Sequence, residues 1–268
     1  MKNDKVFSGN VAALYESHMV PLIFEPYADD IARRVVGLRK GRVLEIAAGT
    51  GVVTRRLAAT LPKECAIVAT DLNQPMIDQA KAIGTARDVE WRQADAMKLP
   101  FGDGEFDVVV CQFGAMFFPD KAHAFSEAHR VLKPGGMFLF NVWDRIQDNE
   151  FADVILHALA KMFPDDPPRF MERTPHGYHD KSIVERDLRG GGFGAPRIDT
   201  VAARSRAANA SIPAVAYCQG TPWRGEIEAR AADRLADATD ASAAALAKRF
   251  GSGPVDGKIQ AHVVTVTR

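Results

Sequence analysis

Apolar and polar residues alternate in short blocks along the first half of the chain. Four apolar runs of strand length stand between turn residues: RVLEIAA from Arg42, AIVATDL from Ala66, FDVVVCQFG from Phe106 and MFLFNVW from Met137. A weaker fifth run, VEWRQAD, begins at Val89. Amphipathic segments of helical spacing separate the runs: Val52 to Leu61, Pro75 to Ile83 and Ala122 to Leu132. This alternation predicts an α/β fold, a doubly wound and mostly parallel sheet with helices on both faces.

The pattern changes in the second half. RIDTVAAR from Arg197 and IQAHVVTVTR from Ile259 are late strand candidates, which bring the expected sheet to seven strands. Between them, the alanine-rich stretch from Gly225 to Phe250 predicts one helix. Residues 164–180 are rich in proline and turn formers, which predicts an irregular insertion. The N-terminal segment predicts two helices broken near Pro21.

These elements predict one domain over residues 1–268 with additions around a sheet core. The core is expected at 40–145 and the last strand at 259–268. Residues 1–38 are expected to form an N-terminal helical cap, with further cap or insertion segments at 146–180 and 209–257.

Composition narrows the class of partner and the compartment. The 268 residues carry 34 lysines and arginines against 34 aspartates and glutamates. A formal net charge of zero argues against nucleic acid and membrane partners, because non-specific binding to either relies on excess positive charge. Three widely spaced cysteines form neither a metal motif nor a disulfide framework. Without a signal-peptide pattern or a spanning apolar stretch, we expect a cytoplasmic protein.

Candidate chemistry begins in VLEIAAGTGVVTRRLA, residues 43–58. Glycine lets the backbone approach a ligand closely, and the helix that follows offers free N–H groups. A dinucleotide loop would need a third glycine where Thr54 stands, and a phosphate loop would need Gly-Lys-Ser/Thr, whereas Val52 and Val53 follow Gly51. Asp71, which ends the next strand, could bind the ribose of any adenosine-containing cofactor, so Asp71 alone leaves NAD and S-adenosylmethionine open.

Five motifs in order distinguish between these cofactors. LEIAAGTG, TDLNQPMIDQA, ADAMKLPF, FDVVVCQFGAMFFPD and RVLKPGG together resemble the class I S-adenosylmethionine-dependent methyltransferases. The resemblance is closest to the small-molecule group that includes the ubiquinone/menaquinone C-methyltransferases, and it covers residues 42–143 well. The family usually has glycine where Ala47 stands. It implies a Rossmann-like methyltransferase fold with S-adenosyl-L-methionine as cofactor and S-adenosyl-L-homocysteine as product.

The resemblance also implies which residues bind the cofactor. Glu45, Ala47, Gly49 and Gly51 would frame its methionine part, and Asp71 would bind the ribose. Around the adenine, Leu72 and Met76 would pack and Asp95 would accept from the amino group, with Ala96 beside it. Gln112 and Phe113 would lie near the methyl group. Apart from the resemblance, the aromatic face of the N-terminal helices predicts either packing onto the sheet domain or closure over the cofactor, and Tyr15 is the candidate for a cofactor contact.

The expected reaction is methyl transfer to a small-molecule acceptor by in-line displacement, which depends mainly on positioning. No general base is obvious, and none is needed unless the acceptor must lose a proton. His176 and His179 stand three apart, but no third ligand is nearby, so we expect no metal. A cofactor-binding protein without transferase activity and an NAD-dependent oxidoreductase are the alternatives. Neither the acceptor nor the oligomeric state is indicated.

Overall fold

A computed structural model describes the backbone from Asn10 to Arg268 and the side chains from Ala12. The first nine residues of the predicted N-terminal cap therefore lie outside the described residues. Seven strands form one sheet: β1 (Gly41–Glu45), β2 (Cys65–Asp71), β3 (Glu90–Gln93), β4 (Phe106–Gln112), β5 (Leu132–Trp143), β6 (Arg197–Ala207) and β7 (Val255–Thr267).

The strand order in the sheet is β3-β2-β1-β4-β5-β7-β6. The pairings from β3 to β5 are all parallel, and the register places Glu45 beside Ala69 and Val110, and Gln112 beside Asn141. β7 runs antiparallel to β5, because Gly135 N–H donates to the Arg268 carbonyl and Arg268 N–H to the Gly136 carbonyl. The prediction of a doubly wound, mostly parallel seven-stranded sheet is confirmed.

The α-helices of the described residues are α1 (Asn10–Leu14), α2 (Glu25–Val35), α3 (Val52–Thr60), α4 (Gln74–Ile83), α5 (Lys121–Val131), α6 (Glu150–Met162), α7 (Phe170–Arg173), α8 (Lys181–Gly190), α9 (Ser211–Gln219), α10 (Trp223–Arg230) and α11 (Leu235–Phe250). Helices α3, α4 and α5 lie where the amphipathic segments between the strands predict them. Asp120 begins α5 by accepting the His123 N–H, and Asp180 begins α8 by accepting the Ser182 N–H.

Two sequence expectations are wrong at the level of helices. Pro21 does not break the N-terminal segment, since it lies inside a π-helix, Tyr15–Phe24. Proline has no backbone N–H to donate, and the wider i→i+5 turn of a π-helix can tolerate this missing hydrogen bond. The alanine-rich stretch is two helices rather than one, because α10 ends at Arg230 and α11 begins at Leu235.

The tertiary contacts divide the chain into two compact units. Of the described residues, the first comprises 10–24, 143–177 and 202–260, and the second comprises 25–142, 178–201 and 261–268. In the second unit, which we call the sheet unit, α2 and α3 bury Ile31 and Leu57 against Val43 of β1 and Val108 of β4. In the first, the helical unit, Phe151 and Phe250 meet edge to face with ring centroids 5.0 Å apart.

Candidate functional site

The glycine loop after β1 is fixed to both neighbouring strands. Ile46 N–H donates to the Val110 carbonyl of β4 at 2.8 Å, and Ala48 N–H donates to the Thr70 carbonyl of β2 at 2.9 Å. The loop therefore lies at the carboxyl edge of the parallel strands, where ligands of doubly wound sheets bind.

Three residues of the loop have left-handed backbone conformations. The φ angles are 55° at Ala47, 56° at Gly49 and 85° at Gly51. A Cβ on Gly49 would meet nothing within 4 Å, so this position offers an open approach to the backbone, whereas one on Gly51 would lie 2.8 Å from the Trp91 ring. Glycine is needed at Gly51 for packing, and at Gly49 it leaves room for a ligand.

Asp71 ties the end of β2 to this loop. Its Oδ2 accepts the Gly49 N–H at 2.8 Å, and its Oδ1 accepts the Asn73 N–H at 2.8 Å. The side chain is only 7% exposed, and burial raises the pKa of its carboxyl although both backbone N–H bonds oppose the shift. A carboxylate can accept about four hydrogen bonds, so both oxygens retain capacity for a diol.

Glu45, the last residue of β1, lies beneath the loop and is 1% exposed. The Thr54 hydroxyl of α3 donates to Glu45 Oε2 at 2.5 Å. Burial is the main reason that the pKa of Glu45 is raised to about 8, and the nearby Asp71 raises it further while Thr54 and Arg55 oppose the shift.

The expected adenine residues follow β2 and β3. Leu72 is 43% exposed, which leaves an apolar side chain at the surface next to Asp71, while Met76 of α4 is buried. Asp95 is exposed and its Oδ1 accepts the Met97 N–H at 2.9 Å, a turn-capping bond that leaves Oδ2 for another donor. Ala96 beside it is buried.

The segment after β4 carries the second strained residue of the sheet unit. Phe113 follows Gln112 and has a φ of 49°, and its ring meets Tyr27 of α2 edge to face with centroids 5.2 Å apart. The Phe113 N–H donates to Asn141 Oδ1 of β5 at 2.9 Å. Because that atom must be an oxygen, the other amide atom of Asn141 is its NH₂ group.

Polar atoms around the loop also suit a polar ligand. Asn141 Nδ2 and Thr50 Oγ1 are buried and have no hydrogen-bond partner among the described residues. Buried polar groups are normally paired, so such atoms commonly mark a site that a ligand or water completes. With two carboxyls, an open glycine and an exposed leucine, the sheet unit fits an adenosine cofactor that also carries polar groups.

Tyr15 belongs to the helical unit. It lies half-buried in the π-helix, and its ring centroid is 5.2 Å from that of Phe24. Within that unit the aromatic neighbour of Tyr15 is Phe24, and the cofactor contact expected of Tyr15 stays a prediction.

Sequence reasoning missed residues whose importance depends on contacts distant in the chain. The sequence pattern marks Thr54 only as the position where a dinucleotide-binding loop would have glycine, and it does not mark Asn141 at all. In the structure Thr54 forms a hydrogen bond with Glu45, and Asn141 forms one with Phe113. In the helical unit, His176 is buried and its Nδ1 lies 2.8 Å from the Asp144 carbonyl, which can only accept. Nδ1 therefore carries the proton, which agrees with a structural role for His176.

Two features are absent from the described part of the chain. Within it no group of three or more histidine, cysteine, aspartate or glutamate side chains is arranged to hold a metal ion. None of the helices over residues 10–268 has the length and apolar character needed to cross a membrane.

Comparison with known proteins gives sequence relatives that are described as methyltransferases. A family model described as a methyltransferase domain matches residues 44–140. A ubiquinone/menaquinone biosynthesis C-methyltransferase of Teredinibacter turnerae is 30% identical over 171 residues, which cover 59% of this chain and 69% of that protein. The protein of the same description from Ectopseudomonas mendocina is 44% identical over 108 residues, but the match spans only 42% of its length and 38% of this chain.

Solved structures share the fold at low identity. The YcgJ protein of Bacillus subtilis has a TM-score of 0.58 at 17% identity, and the match covers 91% of this chain and 98% of that one. A phosphoethanolamine N-methyltransferase of Haemonchus contortus, determined with phosphomonomethylethanolamine and S-adenosylhomocysteine, has a TM-score of 0.60 at 17% identity, covering 96% of this chain and 57% of that one.

Proposed function

The chain belongs to the class I S-adenosylmethionine-dependent methyltransferases, and we propose on this premise that it methylates a small-molecule acceptor from S-adenosyl-L-methionine. The observation that carries the proposal is the meeting of Glu45 and Asp71 at one glycine loop, through the Asp71–Gly49 bond of 2.8 Å. Two buried carboxyls at the carboxyl edge of a parallel sheet suit the amino group and the ribose of one cofactor.

Each group of site residues binds a different part of the cofactor in this proposal. Glu45 faces the amino group, and Ala47, Gly49 and Gly51 surround the methionine part with backbone. Asp71 accepts from the ribose hydroxyls, Leu72 and Met76 cover the adenine, and Asp95 Oδ2 accepts from its amino group, with Ala96 beside it. When bound, the cofactor supplies a methyl group made electrophilic by its sulfonium. Gln112 and Phe113 flank the transfer position.

Positioning provides most of the catalysis in this proposal. Displacement at a methyl group needs the nucleophile and the leaving sulfur in line at near-contact distance. Phe113 supports that geometry because its strained backbone is held by Asn141 and its ring by Tyr27. A general base becomes necessary only for an acceptor that must lose a proton.

The three cysteines bear on the compartment. Cys65, Cys111 and Cys218 are all buried free thiols, and burial raises the pKa of Cys111 to about 12. Unreactive thiols of this kind are compatible with a reducing compartment, and we include a cytoplasmic location in the proposal.

The first test is calorimetric titration of the purified protein with S-adenosylhomocysteine, with NAD in parallel. We expect binding of the first and none of the second. Asp71→Asn should weaken S-adenosylhomocysteine binding by about tenfold or more, because an amide cannot replace a carboxylate toward a diol.

Asp107→Asn is the matched control for that variant. Asp107 Oδ2 likewise accepts a backbone N–H, from Arg42 at 2.8 Å, but Asp107 lies at the beginning of β4 and hence at the opposite edge of the sheet. Equal weakening by both variants, or binding of NAD alone, would contradict the assigned site.

A second experiment tests transfer itself. Tritium from S-adenosyl-[methyl-³H]methionine is followed into a panel of phenols and quinols, suggested by the names of the sequence relatives, and of amines, suggested by the structural neighbour. Labelled product supports the proposal. Tight cofactor binding with no product across acceptor classes would favour a cofactor-binding protein without transferase activity.

A further inference from the structure

Thr54 and Glu45 form a buried pair under the glycine loop. Thr54 lies in the first turn of α3 and is 0% exposed, and its hydroxyl donates to Glu45 Oε2 at 2.5 Å. Thr54 also occupies the position at which a dinucleotide-binding loop has its third glycine. The side chain that takes the place of that glycine is therefore a hydrogen-bond donor to the carboxyl at the end of β1.

The charged surroundings of Glu45 favour its neutral form. From β2 it faces Asp71, a like charge, and from β4 the buried Cys111 thiol. Arg55 of α3 attracts the charged form, but its guanidinium donates to the Thr50 carbonyl at 2.7 Å. Because Glu45 is 1% exposed and its pKa is raised to about 8, the carboxyl carries a proton at neutral pH in the protein alone.

We propose that Thr54 is a positioning residue for the cofactor's amino group, and that cofactor binding expels the proton of Glu45 to solvent. The inference rests on the proposed function. Thr54 engages Oε2 and leaves Oε1 for the ammonium group, which keeps its three protons. The only bond that breaks is the O–H bond of the carboxyl, and its proton passes to the buffer.

Proton release makes two measurable predictions for the wild-type protein. The affinity for S-adenosylhomocysteine should rise with pH, by close to tenfold between pH 6 and 7, and should level off above about pH 8. At pH 7 the binding enthalpy should differ between phosphate and Tris buffers in proportion to their ionisation enthalpies, which corresponds to release of roughly 0.9 proton from a group one unit below its pKa.

Thr54→Val tests the positioning role. Valine matches threonine in shape but cannot donate, so the charged form of Glu45 loses a hydrogen bond that favours it. The pH at which affinity levels off should then move upward by about one unit, and affinity at pH 7 should fall about tenfold. Thr54→Ser keeps the hydroxyl and should restore the wild-type profile.

Thr70→Val is the matched control. Thr70 is as buried as Glu45, and its hydroxyl also bonds Glu45, but it donates to the backbone carbonyl at 2.9 Å and not to the carboxyl. Both valine variants lose one buried hydrogen bond to the same residue. Only Thr54→Val should move the pH profile, which separates positioning from a general loss of stability.

The outcomes are distinguishable from those of the proposed function. An upward shift in Thr54→Val alone, with rescue by serine, supports the inference. Wild-type binding without proton release, or a profile unchanged in Thr54→Val, would overturn the inference while leaving the methyltransferase assignment standing. If the wild-type protein binds no S-adenosylhomocysteine between pH 6 and 8.5, the proposed function fails, and this inference fails with it.

Discussion

Ala47 and Gly114 constrain each other at the scale of single residues. Ala47 has a φ of 55° where the family usually has glycine, a conformation that costs L-residues on the order of 1 kcal/mol. A Cβ built on Gly114 would lie 2.5 Å from Ala47 Cβ and 2.8 Å from Cys111 Sγ. The methyl group that Ala47 adds to the loop is therefore accommodated only because residue 114 has no side chain.

This contact predicts a coupling between two substitutions. Ala47→Gly should stabilise the protein by a few tenths to about 1 kcal/mol, since glycine adopts this backbone conformation without strain. Gly114→Ala should destabilise it by about 1–3 kcal/mol through overpacking. In the double variant part of that loss should be recovered, because only the Cys111 contact remains. Urea unfolding of the four proteins measures the coupling energy.

Gly37→Ala provides the control for adding a methyl group to a glycine. A Cβ on Gly37 meets nothing within 4 Å, so its effect should be small. Strictly additive effects of Ala47→Gly and Gly114→Ala would show that the two residues do not press on each other.

The site residues differ in how far the sequence could predict them. Glu45, Gly49 and Asp71 stand at strand ends or in a recognisable loop, so local pattern is sufficient to identify them. The role of Thr54 is visible only once helix α3 folds back over β1, and Asn141 is 28 residues from the Phe113 N–H that it accepts. Hydrogen bonds of this kind leave no periodic signal in the chain.

At the scale of elements, Arg130 fastens the segment before β4 to helix α5. Its guanidinium donates to the carbonyls of Phe101 at 2.7 Å and Leu99 at 3.0 Å, and it pairs with Glu127 and Asp103. These carboxylates hold the pKa of the Arg130 side chain above its ordinary value. The arginine of the RVLKPGG motif therefore has a structural role: it links the segment before β4 to helix α5, away from the glycine loop.

We therefore expect Arg130→Met to lower the free energy of unfolding by about 1–3 kcal/mol, since two carbonyls and two carboxylates lose their shared donor. Arg130→Lys should recover only part of this, because an ammonium cannot reproduce the planar fork. The affinity for S-adenosylhomocysteine should be unchanged when it is measured under conditions in which the variant is fully folded. Chemical denaturation and calorimetry measure the two quantities.

Arg33→Met serves as the comparison for a surface arginine. Arg33 is exposed, and among the described residues it pairs with Asp30 of its own helix at 3.4 Å, so its loss should cost less than about 0.5 kcal/mol. An equal loss in the free energy of unfolding for Arg130→Met and Arg33→Met would contradict the structural role of Arg130.

Strands and helices were not equally predictable from the sequence. Buried parallel strands read as continuous apolar runs, which is why β1, β2, β4 and β5 were recognisable. The interruption between α10 and α11 follows a stretch of good helix formers, and Pro21 fits a π-helix that propensity rules do not anticipate. Helix ends set by tertiary packing do not appear in local composition.

At the scale of the whole molecule, burying two carboxyls ties global stability to pH. Burial raises the pKa of Glu45 from 4.5 to about 8 and that of Asp71 above its ordinary value. The folded protein therefore binds more protons than the unfolded chain in the window above pH 4.5. The two buried carboxyls therefore lower the free energy of unfolding near neutral pH. A ligand that carries a cationic group and hydroxyls can bind these carboxyls in their charged form.

The sign of the effect follows from this excess of bound protons. Between about pH 5 and 8 the free energy of unfolding should fall as pH rises, with Glu45 contributing roughly 2–4 kcal/mol across the window. Glu45→Gln is neutral at every pH and should flatten the slope. Glu105→Gln is the control, because the pKa of Glu105 is lowered by the Gly102 N–H and Arg42, and its titration lies below the window. Urea unfolding at pH 5, 6, 7 and 8 compares the three proteins. A Glu45→Gln slope equal to that of the wild type would mean that Glu45 is already charged at pH 5, and the burial argument for this carboxyl would be wrong.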